Sequence, residues 1–367
     1  MPRRRGSTLV RMPAPRDPAS PTRLAPLDDA PPAAPPSSAP RSAVSRPPRQ
    51  VGVDVARGLC VLLVALHHAI LYPADVPEWL RDVTIALAPF RMPLLMFLSG
   101  ALVPAAVGRG ARSFLVARAR SVLWPLVVWG AVIVAVDVAR GIALGRLDEA
   151  VADTTSHLPW GTWFLAYLLI FGVVALLARR LHPGLLAAGA ALASLTVPEL
   201  PGDLPGRFWA MAVFFFLGVW SGRRPEALRR ACGSRGAVLV SAVLVAATAA
   251  VAVALGGDSP AFQPWAALPV AGSFVALVAG AAWLGRRPVG RFPALVGGRS
   301  ITWYLPHTIG VKAGHDLSVA LGAPPLVEVA LCLLGALSIG AVLHLVVTRW
   351  PRADVLFRWP RRTAPGR

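Results

Sequence analysis

Residues 51–71 read VGVDVARGLCVLLVALHHAIL, a stretch that is apolar apart from Asp54, Arg57, His67 and His68. About 20 apolar residues in a helix are enough to cross the hydrocarbon core of a bilayer. Ionisable side chains inside such a helix are costly, so they mark functional sites by default. The stretch therefore predicts a membrane-spanning helix that carries part of a functional site.

Two of these polar residues, Arg57 and His68, are predicted to share one helix face. They are eleven residues apart, which is within about 20° of three full turns and a rise of about 16 Å. Asp54 and Arg57 are three residues apart and can form an ion pair on the same helix. The alternative is that Asp54 and Arg57 only extend to one membrane surface and His68 to the other.

The chain beyond residue 71 repeats this apolar pattern. Ten segments are candidate membrane spans: 52–72, 83–104, 116–138, 162–178, 184–198, 207–221, 237–255, 265–284, 294–314 and 325–348. The fifth and sixth are short for a membrane span. We therefore predict an all-α integral membrane protein, built as a bundle of about ten transmembrane helices in the lipid bilayer.

The basic excess of the chain is explained by membrane topology. The 37 Lys and Arg residues outnumber the 18 Asp and Glu residues, yet only 15% of all residues are charged, against about 25% in soluble domains. That composition argues against a nucleic-acid partner. If the N-terminus is cytoplasmic and the ten spans alternate, 29 of the 37 cations fall on the cytoplasmic side, as the positive-inside rule requires. Both termini are therefore predicted to be cytoplasmic.

The composition changes at about residue 50 and again after the last span. Residues 1–50 contain 13 of the 36 prolines and nine arginines, which predicts a disordered cytoplasmic tail. This tail is either solvated or held near anionic lipid headgroups. Residues 51–348 form the predicted transmembrane domain, and residues 349–367 a short basic cytoplasmic tail. The three cysteines form no CxxC motif, so neither a disulfide framework nor a zinc site is predicted, and we expect no metal.

Three further groups of polar residues lie in or beside other spans. Arg91 lies near the outer end of the second span and is either functional or interfacial. Arg118 and Arg120 lie at the inner end of the third span, where they can bind the phosphates of an anionic cofactor or simply follow the positive-inside rule. In the ninth span, Ser300, Tyr304 and His307 step by four and three, so they are predicted to share one helix face.

The fourth span begins with aromatic residues typical of a membrane interface. The stretch SHLPWGTWFLAYLL contains Trp160, Trp163 and Tyr167, and His157 lies just outside the predicted span. Trp and Tyr are enriched where the bilayer meets water. The remaining histidines, His182, His315 and His344, are not part of such a group of polar residues, which predicts surface or packing positions for them.

Taken together, these residues resemble the acyltransferase 3 family of integral-membrane acyltransferases. The family's first-helix signature is an arginine, ten residues, then a histidine, which Arg57 and His68 match. The stretch FRMPLLMFLSGAL is similar to the family's second-helix segment ending in Ser-Gly. The arginines of the third span, the Trp163-Phe164-Leu165 stretch and the Ser300–His307 stretch follow in the family's order. The resemblance covers about 300 residues, from residue 51 to about residue 348.

The resemblance implies a reaction and several roles. Family members move an acyl group, often acetyl, from cytoplasmic acyl-CoA to a hydroxyl of a glycan or other cell-envelope molecule outside. The resemblance therefore implies O-acetylation of a polysaccharide or related acceptor by a multi-pass protein of the cell (plasma or inner) membrane. It gives the first-helix histidine an essential role and associates the third-helix arginines with the acyl-CoA. Family members often have two arginines three apart, whereas Arg118 and Arg120 are two apart and Ser121 occupies the three-step position.

One mechanism fits both the residues and the resemblance. The phosphates of acyl-CoA, the co-substrate, are held near Arg118 and Arg120. His68 acts as general base on the acceptor hydroxyl, or carries the acyl group briefly as a covalent relay. Arg57, Tyr304 and His307 orient groups or stabilise the oxyanion. The alternative function is a multi-span transporter or flippase for an envelope precursor, with the buried Arg and His residues forming a substrate or proton pathway.

Overall fold

The computed structural model describes residues 51–148, 151, 162–196, 204–256 and 263–360. Within these ranges the regular structure is helical, with no β-strand. The predicted disordered tail at residues 1–50 lies outside the described residues, and so do Trp160 of the predicted aromatic belt and His157, just outside the predicted span.

Sixteen α-helices are described in these ranges. In chain order they are α1 Val51–Ile70, α2 Glu78–Ala101, α3 Val103–Val107, α4 Ala111–Arg118, α5 Trp124–Ala143, α6 Trp163–Leu177, α7 Pro183–Thr196, α8 Leu204–Arg223, α9 Pro225–Gly233, α10 Arg235–Ala254, α11 Ala267–Gly272, α12 Phe274–Leu284, α13 Arg291–Gly298, α14 Ser300–Tyr304, α15 His307–Leu321 and α16 Pro325–Arg349. A π-helical turn at Ala119–Leu123 joins α4 to α5.

Six helical segments of the described chain are long and apolar enough to cross a membrane. They are Val51–Ile70, Glu78–Val107, Ala111–Ala143, Arg235–Ala254, Ala267–Leu284 and Pro325–Arg349. Two shorter apolar helices, α6 and α7, coincide with the predicted fourth and fifth spans. The chain is thus a multi-pass helical membrane protein, while the count of ten spans and the cytoplasmic termini stay predictions.

Helix α1 is held in the bundle by close backbone contact with α13. A Cβ atom at Gly58 would overlap the carbonyl oxygen of Pro293, and one at Gly297 would overlap the carbonyl oxygen of Asp54. The absence of side chains at these two glycines lets the two backbones touch, which is a common way for membrane helices to pack. The contact fixes the position of α1 and therefore of the histidines at its far end.

The predicted ninth span is not one continuous helix. It is divided into α13, α14 and α15, with interruptions at Arg299 and at Leu305–Pro306. Proline has no backbone N–H and cannot continue helical hydrogen bonding, which accounts for the second interruption. The prediction of a single helix face for Ser300, Tyr304 and His307 is therefore wrong beyond Tyr304, because His307 starts a new helix.

The segment after the last long helix folds back onto the bundle. Residues Pro351–Leu356 form a 3₁₀-helix, and Phe357 is buried. The indole N–H groups of Trp124 and Trp129 donate hydrogen bonds to the carbonyl oxygens of Val355 and Leu356. The predicted short basic tail is therefore packed against α5, at least as far as residue 360.

Candidate active site

Two histidines meet at the end of the bundle where α1 ends. His68 lies on the last turn of α1, and His307 is the first residue of α15. Their ring centroids are 4.8 Å apart with the rings nearly perpendicular. His307 is only 5% exposed. The structure thus brings together two residues that the sequence placed in separate predicted spans.

The backbone fixes which nitrogen of each neutral ring carries the proton. The Nδ1 atom of His68 lies 2.9 Å from the carbonyl oxygen of Val64, and Nδ1 of His307 is hydrogen-bonded to the carbonyl oxygen of Tyr304. A carbonyl oxygen can only accept, so Nδ1 is the donor in both rings. The Nε2 atom of each neutral ring is then an unprotonated acceptor, the form a general base requires.

The second ring nitrogen of His307, Nε2, is an acceptor that receives no hydrogen bond from the described part of the chain. Among the described residues, its Nε2 atom is buried and has no hydrogen-bond partner. A buried polar atom without a partner is unusual in a folded protein and calls for a functional explanation. A hydroxyl group of a bound substrate would satisfy this nitrogen.

Aromatic rings enclose the histidine pair. The Tyr304 ring is buried and its centroid lies 5.5 Å from that of His307. On its other side, the Tyr304 ring lies 5.5 Å from the ring of Phe164 on α6. Trp163, the first residue of α6, packs at 5.1 Å against the ring of Tyr167. Trp163 and Tyr167, two of the predicted aromatic residues of the fourth span, therefore form a wall of this site together with Phe164.

Two arginines lie at the same end: Arg91, which the sequence left as either functional or interfacial, and Arg207. The guanidinium of Arg207, on the first turn of α8, lies 5.6 Å from the centre of the Trp163 ring. The charges of Arg207 and of Arg91, on α2, are close enough to His67 to act on it. The sequence analysis did not single out Arg207, although its position beside Phe208 and Trp209 was a usable signal. We call the set His67, His68, Arg91, Arg207, Tyr304 and His307 the histidine cluster.

Arg57 does not join the histidine cluster. It lies three turns earlier on α1, so its Cα is about 16 Å from that of His68. Asp54 lies one turn before Arg57 on the same helix, and the ion pair between them stays a prediction. A direct role for Arg57 at the same reacting atoms as His68 has no support in this geometry, and its function stays a prediction.

Arg118 and Arg120 point to different parts of the protein. Arg118 lies over the Phe114 ring and alongside Gly172 of α6, so it faces the bundle. The guanidinium of Arg120 instead donates a hydrogen bond of 2.6 Å to the carbonyl oxygen of Trp359. Two residues of helix turn the side chain by about 200°. The two arginines are therefore not brought together as a pair.

Next to the histidine cluster, ion pairs link α5, α15 and α16. Arg140 donates two hydrogen bonds to Asp316, and Lys312 donates one to Asp137. His315 pairs with Glu328, so the prediction that His315 has no polar company is wrong. The hydrogen bonds from Arg140 lower the pKa of the Asp316 carboxyl, which lies beyond the predicted ninth span. In the described part of the chain, no group of three or more metal-ligating side chains is placed to hold a metal.

A family model described as an acyltransferase domain, that of the acyltransferase 3 family, matches residues 50–345. Neither a search of curated proteins nor a search of solved structures found a match. The matched region contains the whole histidine cluster and both Arg118 and Arg120. It ends within α16, before the segment that packs against α5.

Proposed function

This chain belongs to the acyltransferase 3 family, and on that premise we propose that it moves an acyl group, acetyl in the first instance, from cytoplasmic acyl-CoA to a hydroxyl of a cell-envelope glycan. The resemblance drawn from the sequence is confirmed by the family match, and the protein is a membrane acyltransferase. The donor, the acetyl specificity, the polysaccharide-type acceptor and the cell membrane as its location are parts of the proposal.

The observation that carries the proposal is the orientation of His68. Its Nδ1–H is held by the Val64 carbonyl, so Nε2 is free to take a proton in the neutral ring. In direct transfer, Nε2 takes the proton of the acceptor hydroxyl while its oxygen attacks the thioester carbonyl. The carbon–sulfur bond then breaks, and the proton passes to the coenzyme A thiolate. In the relay version, Nε2 itself attacks the thioester, the carbon–sulfur bond breaks and the coenzyme A thiolate leaves. The acceptor hydroxyl then attacks the acyl carbon, the bond from that carbon to Nε2 breaks, and the proton lost by the hydroxyl balances the one that the thiolate takes up.

The neighbours of His68 suit the other requirements of this reaction. In its neutral form His307 has an accepting Nε2, so we assign it the orientation of the acceptor hydroxyl. Arg91 and Arg207 place positive charge near the histidines, where they would stabilise the oxyanion of the tetrahedral intermediate. Tyr304 packs against His307 and holds its ring.

The donor is assigned to the opposite end of the bundle, where α4 and α5 meet. The phosphates of acyl-CoA are anionic, and arginine binds phosphate through paired N–H donors. Arg118 and Arg120 are the proposed ligands from the third predicted span, and because they face different parts of the protein they would contact different parts of the donor. Family membership favours this reaction over the transporter alternative, for which no described feature argues separately.

Replacement of His68 tests the proposal. The H68A variant, expressed in the native host in place of the wild type, should lose acyl groups from the envelope glycans, measured by mass spectrometry of the isolated glycan. H182A is the matched control, because His182 is exposed in a loop away from the cluster. Purified protein supplied with radiolabelled acetyl-CoA should release or transfer the label only when His68 is present. Normal acylation by a folded H68A protein would refute the proposed role.

A further inference from the structure

The C-terminal segment 351–360 is fastened to the junction of α4 and α5 by four aromatic side chains. Trp124 donates a hydrogen bond of 2.6 Å to the Val355 carbonyl, and Trp129 donates one of 3.0 Å to the Leu356 carbonyl. The rings of Trp124 and Trp359 lie 4.3 Å apart, and Trp129 stacks on Phe357 at 5.3 Å. These contacts hold the segment in one place on the surface of α5.

The π-helical turn explains why the segment attaches here. The N–H of Trp124 bonds to the carbonyl of Ala119, and Pro125 has no N–H to donate. The Arg120 carbonyl is therefore left without a donor from its own helix. It accepts the backbone N–H of Trp359 at 3.1 Å, while the Arg120 guanidinium donates to the Trp359 carbonyl at 2.6 Å.

The attachment places three arginines around one cavity. A cavity of about 400 Å³ is lined by Arg112, Ser113, Val116, Ala117, Arg120 and Arg358. Arg112, Val116 and Arg120 follow at steps of four, so they share one side of the helix. Arg358 is supplied by the docked segment. No acidic side chain lines this cavity. Asp354 lines an adjoining cavity together with Arg120 and Arg358, so one nearby carboxylate stands against three arginines.

We infer that Arg112, Arg120 and Arg358 form the binding site for the phosphate groups of the coenzyme A donor. Coenzyme A carries a diphosphate and a separate ribose phosphate, and such a polyanion matches three convergent guanidinium groups better than a single phosphate would. The inference rests on the proposed function and adds Arg112 and Arg358 to the proposed ligands of the donor. One of them, Arg358, lies beyond the region that the family model matches. The docked C-terminal segment is therefore part of the donor site.

The charge of Arg358 can be tested against a matched neighbour. R358Q and R352Q each remove one exposed arginine from the same segment, but Arg352 does not line this cavity. Full-length protein in zwitterionic lipid nanodiscs should bind acetyl-CoA about tenfold more weakly in R358Q, the loss of one charge-assisted hydrogen bond. R352Q should stay within twofold of the wild type, and R358K should recover part of the affinity.

The phosphates are tested with acetylpantetheine, which carries the same thioester without them. Wild type and R358Q should bind acetylpantetheine equally weakly. Equal affinity of R358Q and R352Q for acetyl-CoA, or a difference that persists with acetylpantetheine, would overturn the inference. So would a difference that disappears when phosphatidylglycerol is added to the nanodiscs, because the arginines would then bind lipid headgroups.

This inference and the proposed function can fail separately. If the wild-type protein binds acetyl-CoA through Arg358 but acylates no acceptor, the proposed acceptor reaction is refuted and the inferred binding site still stands. If R358Q binds acetyl-CoA with wild-type affinity and transfers acyl groups normally, the inferred binding site is refuted and the proposed function still stands.

Discussion

The histidine cluster and the three-arginine cavity hold their functional groups in different ways. His68 and His307 are fixed by hydrogen bonds to backbone carbonyls three or four residues earlier in the chain. Arg112 and Arg358 are exposed and converge only because a distant segment docks beside α4. Proton transfer needs one nitrogen with a known proton state, which local backbone contacts can provide. Phosphate binding needs several cations open to solvent, which requires chain segments from different parts of the sequence.

The largest expected effect comes from the unpartnered nitrogen of the histidine cluster. H307Q should lower the acyl-transfer rate about 100-fold, the lower range for removing a general acid–base or orienting group. The KM for acetyl-CoA should be unchanged, because the donor phosphates bind at the other end. Steady-state kinetics with H182Q as the control checks this. A rise in donor KM without a fall in rate would show that the two ends are not functionally separate.

The next effect concerns the packing that delivers His68 to the cluster. G58A should destabilise the protein by about 2 kcal/mol, because the added methyl overlaps the Pro293 carbonyl and α1 must move away from α13. G130A is the control, since a Cβ there has no neighbour within 4 Å. Thermal unfolding in detergent, followed by circular dichroism, should show a lower midpoint for G58A alone. An equal midpoint for both variants would mean that α1 tolerates the displacement.

A smaller effect is expected from loosening the segment that completes the three-arginine cavity. W129F keeps an aromatic ring but replaces the indole with a phenyl group, so it loses the hydrogen bond to Leu356, worth about 1 kcal/mol. The segment 351–360 should then exchange its amide hydrogens faster, and the KM for acetyl-CoA should rise about fivefold with kcat unchanged. W283F, which alters an exposed tryptophan elsewhere, should change neither quantity. Faster amide exchange in residues 351–360 with an unchanged KM for acetyl-CoA would show that the docked segment does not contribute to donor binding.

The smallest effect is expected for the ion pairs beside the histidine cluster. R140Q removes the hydrogen bonds that lower the pKa of Asp316. Because the folded pKa is depressed, this stabilisation is present at neutral pH and disappears as the pH falls through it, below the usual aspartate value of about 3.9. The side chains are 32% and 36% exposed, so the difference at neutral pH should be about 0.5 kcal/mol. Thermal midpoints of wild type and R140Q should converge at low pH, and a constant gap would contradict this assignment.

Local pattern was enough for the features that depend on one helix. The apolar run of residues 51–71 predicted α1, and the polar residues within it pointed to His68. It was not enough for the ninth predicted span, where Pro306 interrupts the helix. Nor was it enough for Arg118 and Arg120, since the orientation of neighbouring side chains depends on what packs on each side of the helix.

By itself the sequence determined the membrane-spanning character and the family, and it predicted a role for His68, because hydrophobicity and short spacings are properties of contiguous residues. Only the tertiary structure decided that His307 faces His68, that Arg207 joins them, and that Arg358 lies beside Arg112 and Arg120. These pairings join residues up to 246 positions apart. Which distant residues meet is set by how the helices pack against one another, and the spacing of residues within one helix carries no information about it.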